Sequence, residues 1–121
     1  MKYELSQCFY FEAAHTLNRA IDGDSSRRIH GHTYHAEVTI RGIPDQQTGM
    51  IVDLGMFRNS LAEIKELLDH RLLDEIKDLG NPTLENLCNF MGKILIKTLP
   101  AIYRISISRK ASGDSCSLIF D

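Results

Sequence analysis

The segment from His30 to Arg41 constrains the fold most, because apolar and polar residues alternate along it. One set of alternate positions is apolar, and the positions between them are mostly polar: Tyr34, Ala36, Val38 and Ile40 against His35, Glu37, Thr39 and Arg41. A period of two is typical of a strand with one buried face. Such strands occur in antiparallel sheets that pack one side on a core. The segment therefore predicts a strand of an antiparallel sheet.

Further strands are predicted before and after this one. Residues 3–13 read as a strand, residues 102–109 alternate with Ile105 and Ile107 inward, and residues 115–120 form a last strand. Residues 50–52 read as a short return strand after a turn at residues 44–49. Residues 16–29, which include Asp22, read as a polar loop rich in Asp, Ser, Asn and Arg.

Two helices are predicted between the second and third long strands. The first follows Asp53, a suitable N-cap, and its apolar stripe ends near Asp69-His70: Leu54, Phe57, Leu61, Ile64 and Leu68. The second follows Thr83, another suitable cap, and ends before Pro100, with the buried stripe Leu84, Leu87, Met91, Ile94 and Leu95.

The resulting order, β-β-α-α-β-β, predicts an α+β fold: a four-stranded antiparallel sheet with two helices on one face. At 121 residues the chain is long enough for one domain, residues 1–121, and not for two. Four strands leave two open sheet edges, which proteins usually protect by pairing with another subunit.

The composition excludes several classes of partner. Fourteen basic and sixteen acidic side chains give a net charge of −2, which favours neither nucleic acid nor an anionic membrane. No apolar run approaches the roughly 18 residues of a membrane span. The first residues lack the apolar stretch of a signal peptide. The three cysteines are an odd number without metal-type spacing, which predicts free thiols and a cytoplasmic protein.

Three of the five histidines form a candidate metal site. His30 and His32 are two residues apart, so in a strand their side chains leave the same face. His15 follows an earlier strand and can supply a third imidazole. Three histidines with one open position are typical of catalytic zinc, whereas structural zinc has four protein ligands. Taken alone, an HxH pair is weak evidence, since most such pairs are packed or exposed imidazoles.

Asp69-His70 has two interpretations. It is an ordinary helix C-terminus, where a protonated imidazole suits the helix dipole, or an acid–base pair in which Asp69 orients the ring. Spacing alone favours the first interpretation. By the same reasoning Asp53 and Thr83 are helix caps.

Five motifs occur in the order and spacing of one family. They are Phe11-Glu12-Ala13-Ala14-His15, His30-Gly31-His32, Gly49-Met50-Ile51-Val52-Asp53, Leu68-Asp69-His70 and Asn81-Pro82-Thr83-Leu84-Glu85-Asn86. Together they resemble the 6-pyruvoyl-tetrahydropterin and 6-carboxy-tetrahydropterin synthases, over about residues 8 to 110. The length resembles the shorter queuosine-pathway members.

The resemblance implies a tunnelling fold whose subunits form trimers or dimers of trimers, with active sites between subunits. It implies Zn²⁺ as cofactor, with His15, His30 and His32 as its ligands. Asp69 and His70 match the family's proton-transfer pair, and Thr83 matches a residue that holds the pterin ring. The implied substrate is 7,8-dihydroneopterin triphosphate or a related pterin.

Two positions depart from the family pattern. The general base, usually a cysteine four residues before the first histidine of His-Gly-His and a glutamate in one subgroup, is here Ser26. A serine hydroxyl has a far higher pKa than the roughly 8.5 of cysteine. Asp24, Cys8 or Cys116 are alternative bases. The late glutamate that anchors the pterin is replaced by Arg109 and Lys110, which present only donors; Asp114 is an alternative carboxylate.

These departures leave three hypotheses. The first is a zinc-dependent lyase of the 6-carboxy-tetrahydropterin synthase type. The second is a divergent zinc enzyme of this fold that acts on another small molecule. The third is a non-catalytic oligomer that binds a pterin or nucleotide. Arg27, Arg28, Arg109 and Lys110 favour an anionic ligand such as a triphosphate, or are surface charges.

Overall fold

A four-stranded antiparallel sheet organises the molecule, as the sequence predicts. We describe a computed structural model of the chain, covering residues 1–21 and 23–121. The strands are β1 (Tyr3–His15), β2 (His30–Gly42), β3 (Ile102–Arg109) and β4 (Asp114–Ile119), and they lie in the order β1-β2-β3-β4. Each strand pairs antiparallel with its neighbour, so β1 and β4 form the two edges.

The helices cover one face of the sheet. A short helix, α1 (Gly23–Arg27), precedes β2, and the two long helices α2 (Leu54–Leu68) and α3 (Leu84–Leu95) follow it, with a 3₁₀ turn at Leu73–Glu75 between them. Helix α2 packs on β1, whereas α3 packs on β3 and β4. Asp53 and Thr83 cap α2 and α3 by accepting hydrogen bonds from the amides of Met56 and Asn86.

The alternation in β2 produces the core. Tyr34, Ala36, Val38 and Ile40 are buried against the helices, and Ile105 and Ile107 of β3 lie beside them. The helix stripes complete the layer, although Leu54 is 37% exposed in the first turn of α2. Apolar residues recur every three or four positions in the helices and every two positions in the strands. Each spacing places the apolar side chains on one side of its element, so the two sides pack together.

Two expectations about connecting segments were wrong. Residues 23–27 form a helical turn where the sequence predicts only loop, and Arg27 pairs with Asp24 across it. Residues 50–52 do not form a strand; Ile51 and Val52 instead pack against the core from a bend. A five-residue helix is too short to show a periodic stripe, and three apolar residues fit a bend as well as a strand. Asp22 lies outside the described residues.

The sheet also sets the position of the candidate site. Because β1 and β2 are in register along their whole length, the end of β1 meets the start of β2, and His15 lies opposite His30. The chain after α2 returns to this end of the sheet, where the amide of Ala14 donates to the carbonyl of Arg71. In the described part of the chain, every helix is too short or too polar to cross a bilayer.

Candidate metal centre and proton-transfer pair

Three imidazoles converge at the joined ends of β1 and β2. His15, His30 and His32 lie on the sheet face that carries the core, and His15 is fully buried. The Nε2 atom of His15 lies 3.0 Å from Nε2 of His30 and 3.0 Å from Nε2 of His32. The candidate ligand atoms of all three residues lie within 4.8 Å of one another. The structure thus brings together the three residues that the sequence singles out.

Backbone carbonyls fix the tautomers of two of these rings. Nδ1 of His15 lies 3.1 Å from the carbonyl oxygen of Pro82, and Nδ1 of His30 lies 2.7 Å from that of Arg28. A carbonyl oxygen only accepts, so each Nδ1 carries the hydrogen, and in a neutral ring Nε2 then carries a lone pair. Two lone pairs that face each other at 3.0 Å repel unless a cation lies between them.

Burial favours the neutral form of His15 and His32. Desolvation lowers the pKa of His15 below its usual value, and the hydrogen bond to Pro82 only partly opposes this. Desolvation and then the Arg109 charge lower the pKa of His32 to about 4. Neutral imidazoles are the form that binds metals. Two tetrahedral zinc ligands at ~2.0–2.1 Å are ~3.3 Å apart, close to the observed spacing, so the donor set fits zinc.

Asp69 and His70 form a hydrogen-bonded pair at the end of α2. Oδ2 of Asp69 lies 3.0 Å from Nδ1 of His70, and Oδ1 accepts from the backbone amide of Glu12 at 2.9 Å. The bond from Glu12, followed by the bond with His70, holds the pKa of Asp69 below its usual value. An ionised Asp69 accepts the Nδ1 hydrogen, so a neutral His70 presents Nε2 as a proton acceptor.

His70 has an unusual backbone and an open surface. Its φ of 58° lies in the left-handed region, which is uncommon for a residue with a side chain and often marks a functional site. Its amide donates to the carbonyl of Glu12 at 2.6 Å, so the backbone is fixed while the side chain is 76% exposed. His70 and His32 both line one open cleft of about 550 Å³.

Ser26 is buried in α1 and lies against an arginine. Its Oγ accepts from Nε of Arg19 at 2.6 Å, and its carbonyl oxygen accepts from the amide of Leu17. This guanidinium leaves the serine hydrogen available as a donor. Of the alternative bases, Asp24 lies in the same helix and pairs with Arg27, and Cys116 lies on β4. Cys8 lies on β1, where burial and a hydrogen bond to Glu37 raise the pKa of its thiol.

Thr83 acts as a helix cap in the structure. Its hydroxyl accepts from the amide of Asn86 at 3.1 Å at the start of α3. The preceding residue, Pro82, supplies the carbonyl that orients His15. The cap therefore lies next in sequence to a residue whose carbonyl contacts the imidazole centre, which places Thr83 near the site.

Arg109 belongs to the same end of the sheet. Its side chain is 17% exposed, and Nη2 lies 3.0 Å from Oδ2 of Asp114, its partner across the β3–β4 hairpin. Asp114, the alternative acceptor for a pterin edge, is therefore already paired with a cation. Lys110 is exposed and lines a groove on the opposite face of the sheet with Cys8 and Glu37.

Sequence reasoning missed several groups that support the site. The carbonyls of Pro82 and Arg28 carry no sequence signal, because any residue has a carbonyl. Asp74 accepts hydrogen bonds from the backbone amide and the hydroxyl of Thr16, directly after His15, and thereby fixes the end of β1. Tyr34 had a usable signal: it lies two residues after His32, so both share a face, and their ring centroids are 5.7 Å apart.

Comparison with known proteins gives a consistent result. Residues 4–118 match the family model of 6-pyruvoyl tetrahydropterin synthase. A dihydroneopterin monophosphate aldolase of Pyrococcus furiosus is 32% identical over 90 residues, 74% of this chain and 72% of the relative. A 6-carboxy-5,6,7,8-tetrahydropterin synthase of Aquifex aeolicus is 28% identical over 109 residues, 79% and 67% of the two chains.

The solved structures agree on the fold. A 6-pyruvoyl tetrahydropterin synthase of Caenorhabditis elegans superimposes with a TM-score of 0.84 over 100% of this chain and 97% of its own, at 22% sequence identity. At that identity the likeness concerns the arrangement of strands and helices, which is the predicted tunnelling fold.

Proposed function

We propose that this chain, which belongs to the 6-pyruvoyl tetrahydropterin synthase family, is a zinc-dependent lyase acting on 7,8-dihydroneopterin triphosphate or a related pterin. The family comprises lyases that act on pterins. The name of one relative, dihydroneopterin monophosphate aldolase, supports a phosphorylated dihydroneopterin in particular.

The convergence of three Nε2 atoms carries this proposal. Carbonyl contacts at Nδ1 turn the lone pairs of His15 and His30 toward each other, and His32 completes the set. We assign these three residues as zinc ligands. Bound there, zinc supplies a Lewis acid that polarises a hydroxyl or carbonyl oxygen and makes its proton more acidic.

His70, held by Asp69, is proposed to accept a proton from the substrate and to return it. Asp69 holds Nδ1 of His70, and because the side chain is exposed, Nε2 remains accessible to a substrate. A neutral imidazole whose Nε2 reaches the substrate can accept a proton and then return it. Asp69 keeps the ring in one tautomer and stabilises the imidazolium form when the proton is taken up.

Ser26 and Thr83 are assigned secondary roles. Because the Arg19 guanidinium occupies Oγ of Ser26, the serine is better placed to donate a hydrogen bond to a substrate oxygen than to remove a proton. Thr83 is proposed to contact the pterin ring from the start of α3. Its hydroxyl oxygen accepts one hydrogen bond from the amide of Asn86 and has a second lone pair that can accept another.

We further propose that the working protein is a homo-oligomer, a trimer or a dimer of trimers. The exposed His70 ring and the open cleft leave room for a second copy to close the site, and β1 and β4 offer edges for pairing. A monomer by light scattering at micromolar concentration would contradict this assignment.

Product analysis by mass spectrometry tests the activity. The zinc-loaded protein is incubated separately with 7,8-dihydroneopterin triphosphate and with the monophosphate. A 6-carboxy-tetrahydropterin product with acetaldehyde, a 6-pyruvoyl product with triphosphate, or side-chain cleavage of the monophosphate supports a pterin lyase and identifies which one. Unchanged substrates, with zinc confirmed in the protein, would refute it.

A Ser26→Cys variant separates this function from the second hypothesis. If the pterin is the substrate, a thiol of lower pKa in place of the hydroxyl raises turnover. A divergent enzyme with another substrate remains inactive on the pterin in either form. The pairing of Arg109 with Asp114 beside the imidazoles favours this second candidate, because it places donors where a pterin edge also presents donors.

A further inference from the structure

Tyr34 and Arg109 form a donor-rich wall beside the three histidines. Tyr34 follows His32 by two residues on the core side of β2, and its ring meets the rings of His15 and His32 edge to face. Arg109 follows Ile107 by two residues on the same side of β3, one position beyond the registered pair His35–Ser108. Adjacent strands therefore place the phenol, the guanidinium and the imidazoles at one end of the core face.

Both groups carry donors without an acceptor. Tyr34 is fully buried, and its hydroxyl lies close to the Arg109 guanidinium, a donor that cannot accept the phenolic hydrogen. Among the described residues, no acceptor pairs with this hydroxyl or with Nε of Arg109. Asp114 occupies only one terminal nitrogen of the guanidinium. Leaving a buried donor unpaired is unfavourable, so such groups normally meet water or a ligand.

Arg109 also lies close to the imidazole centre. The register of β2 and β3 places it opposite Tyr34, and the Tyr34 ring contacts the rings of His15 and His32. A half-buried cation with unused donors favours negatively charged oxygen, which accepts several N–H and O–H bonds at once.

We propose that Arg109 and Tyr34 bind an oxyanion of the ligand, a phosphate or a carboxylate, directly beside the three-histidine centre. This inference rests on the proposed function for the identity of the site and narrows its substrate to compounds that carry such a group. Arg109 is then a specificity-determining residue, and Tyr34 positions the same anion through its hydroxyl.

Nuclear magnetic resonance titration tests this in the full-length ¹⁵N-labelled protein, zinc-loaded and again after metal removal. Inorganic phosphate and acetate are the probes, and the reporters are the Tyr34 amide and the Arg109 Nε–H signal, assigned by its loss in Arg109→Lys. Saturable shifts of both reporters are expected. Phosphate alone producing them indicates a phosphoryl group; acetate binding at least as tightly indicates a carboxylate.

Variants separate anion binding from a structural role. Arg109→Gln is expected to weaken binding of the probe about tenfold or more and Tyr34→Phe about threefold. Lys110→Gln, a matched loss of charge on the opposite sheet face, should leave it unchanged. Asp114→Asn keeps the guanidinium and removes the carboxylate charge that competes with the probe anion for it. Binding of the probe should therefore tighten or stay equal.

Three results would overturn the proposal. The first is the absence of shifts with either probe, which would mean that water alone satisfies these donors. The second is equal affinity in Arg109→Gln and the parent protein. The third is equal loss of thermal stability in Arg109→Gln and Asp114→Asn without any change in binding, which would make the pair a hairpin clamp. Because the probes need no turnover, anion binding without pterin chemistry would refute the proposed function and leave this inference standing.

Discussion

The two halves of the candidate site differ in how firmly the fold holds them. The three imidazoles lie on paired strands, and two of the rings are fixed at Nδ1 by backbone carbonyls. His70 instead follows α2 with a left-handed backbone, and Asp69 is the partner of its exposed ring among residues 1–21 and 23–121. A metal centre needs fixed ligand geometry, whereas a group that moves protons needs access to its substrate.

Substitutions among the three imidazoles are therefore predicted to remove the metal. His30→Ala leaves two imidazoles, which rarely hold zinc tightly, so zinc content should fall to near zero and activity should be lost with it. Elemental analysis after dialysis measures the effect. His35→Ala, a histidine of the same strand on the opposite face, is the matched control and should keep its zinc. Full zinc occupancy in His30→Ala would disprove the ligand assignment.

Substitutions of His70 should lower turnover and leave the zinc content unchanged. His70→Ala removes the proposed proton carrier, and loss of a general acid–base group typically costs about 10²–10⁴ in rate. Steady-state kinetics with 7,8-dihydroneopterin triphosphate checks the rate, and elemental analysis checks that zinc stays. Parent-like turnover in this variant would remove His70 from the mechanism. Loss of zinc in the same variant would instead show that the two halves are not independent.

The same contrast explains what the sequence predicts well. His30 and His32 share a face because strand side chains alternate, and the pattern that follows them makes the strand clear; their grouping was therefore predictable. The pairing of His15 with His30 depends on register, which a single strand does not encode. The left-handed backbone of His70 has no signature, since residues other than glycine adopt it only when tertiary contacts such as that to Glu12 impose it.

The backbone of His70 gives a smaller, measurable effect on stability. Glycine adopts positive φ without the steric cost that a Cβ brings, so His70→Gly should unfold with a free energy about 1 kcal/mol higher than His70→Ala. Asp78, at φ 71°, offers a matched site away from the cleft, and Asp78→Gly against Asp78→Ala should show a similar difference. Denaturant titration measures both pairs. If His70→Ala is as stable as His70→Gly, the conformation carries no strain.

The smallest effect concerns the anchor behind His15. Burial raises the pKa of Asp74, but the hydrogen bonds from Thr16 lower it by more. The pKa of Asp74 therefore lies below its usual value. A depressed folded-state pKa means that this contribution is present above the unfolded pKa of about 3.9 and is lost as pH falls through the folded value. Asp74→Asn should therefore lower the free energy of unfolding by at most about 0.5 kcal/mol at pH 7, because solvent screens this exposed carboxylate, and the difference from the parent should shrink below about pH 4. Asp24→Asn, which changes an almost fully exposed carboxylate, is the control and should change stability little at either pH.

A difference for Asp74→Asn that persists unchanged at low pH would mean that Thr16 needs only an oxygen acceptor there. The end of β1 would then be held by geometry rather than by charge, as His15 and His30 are held by uncharged carbonyls.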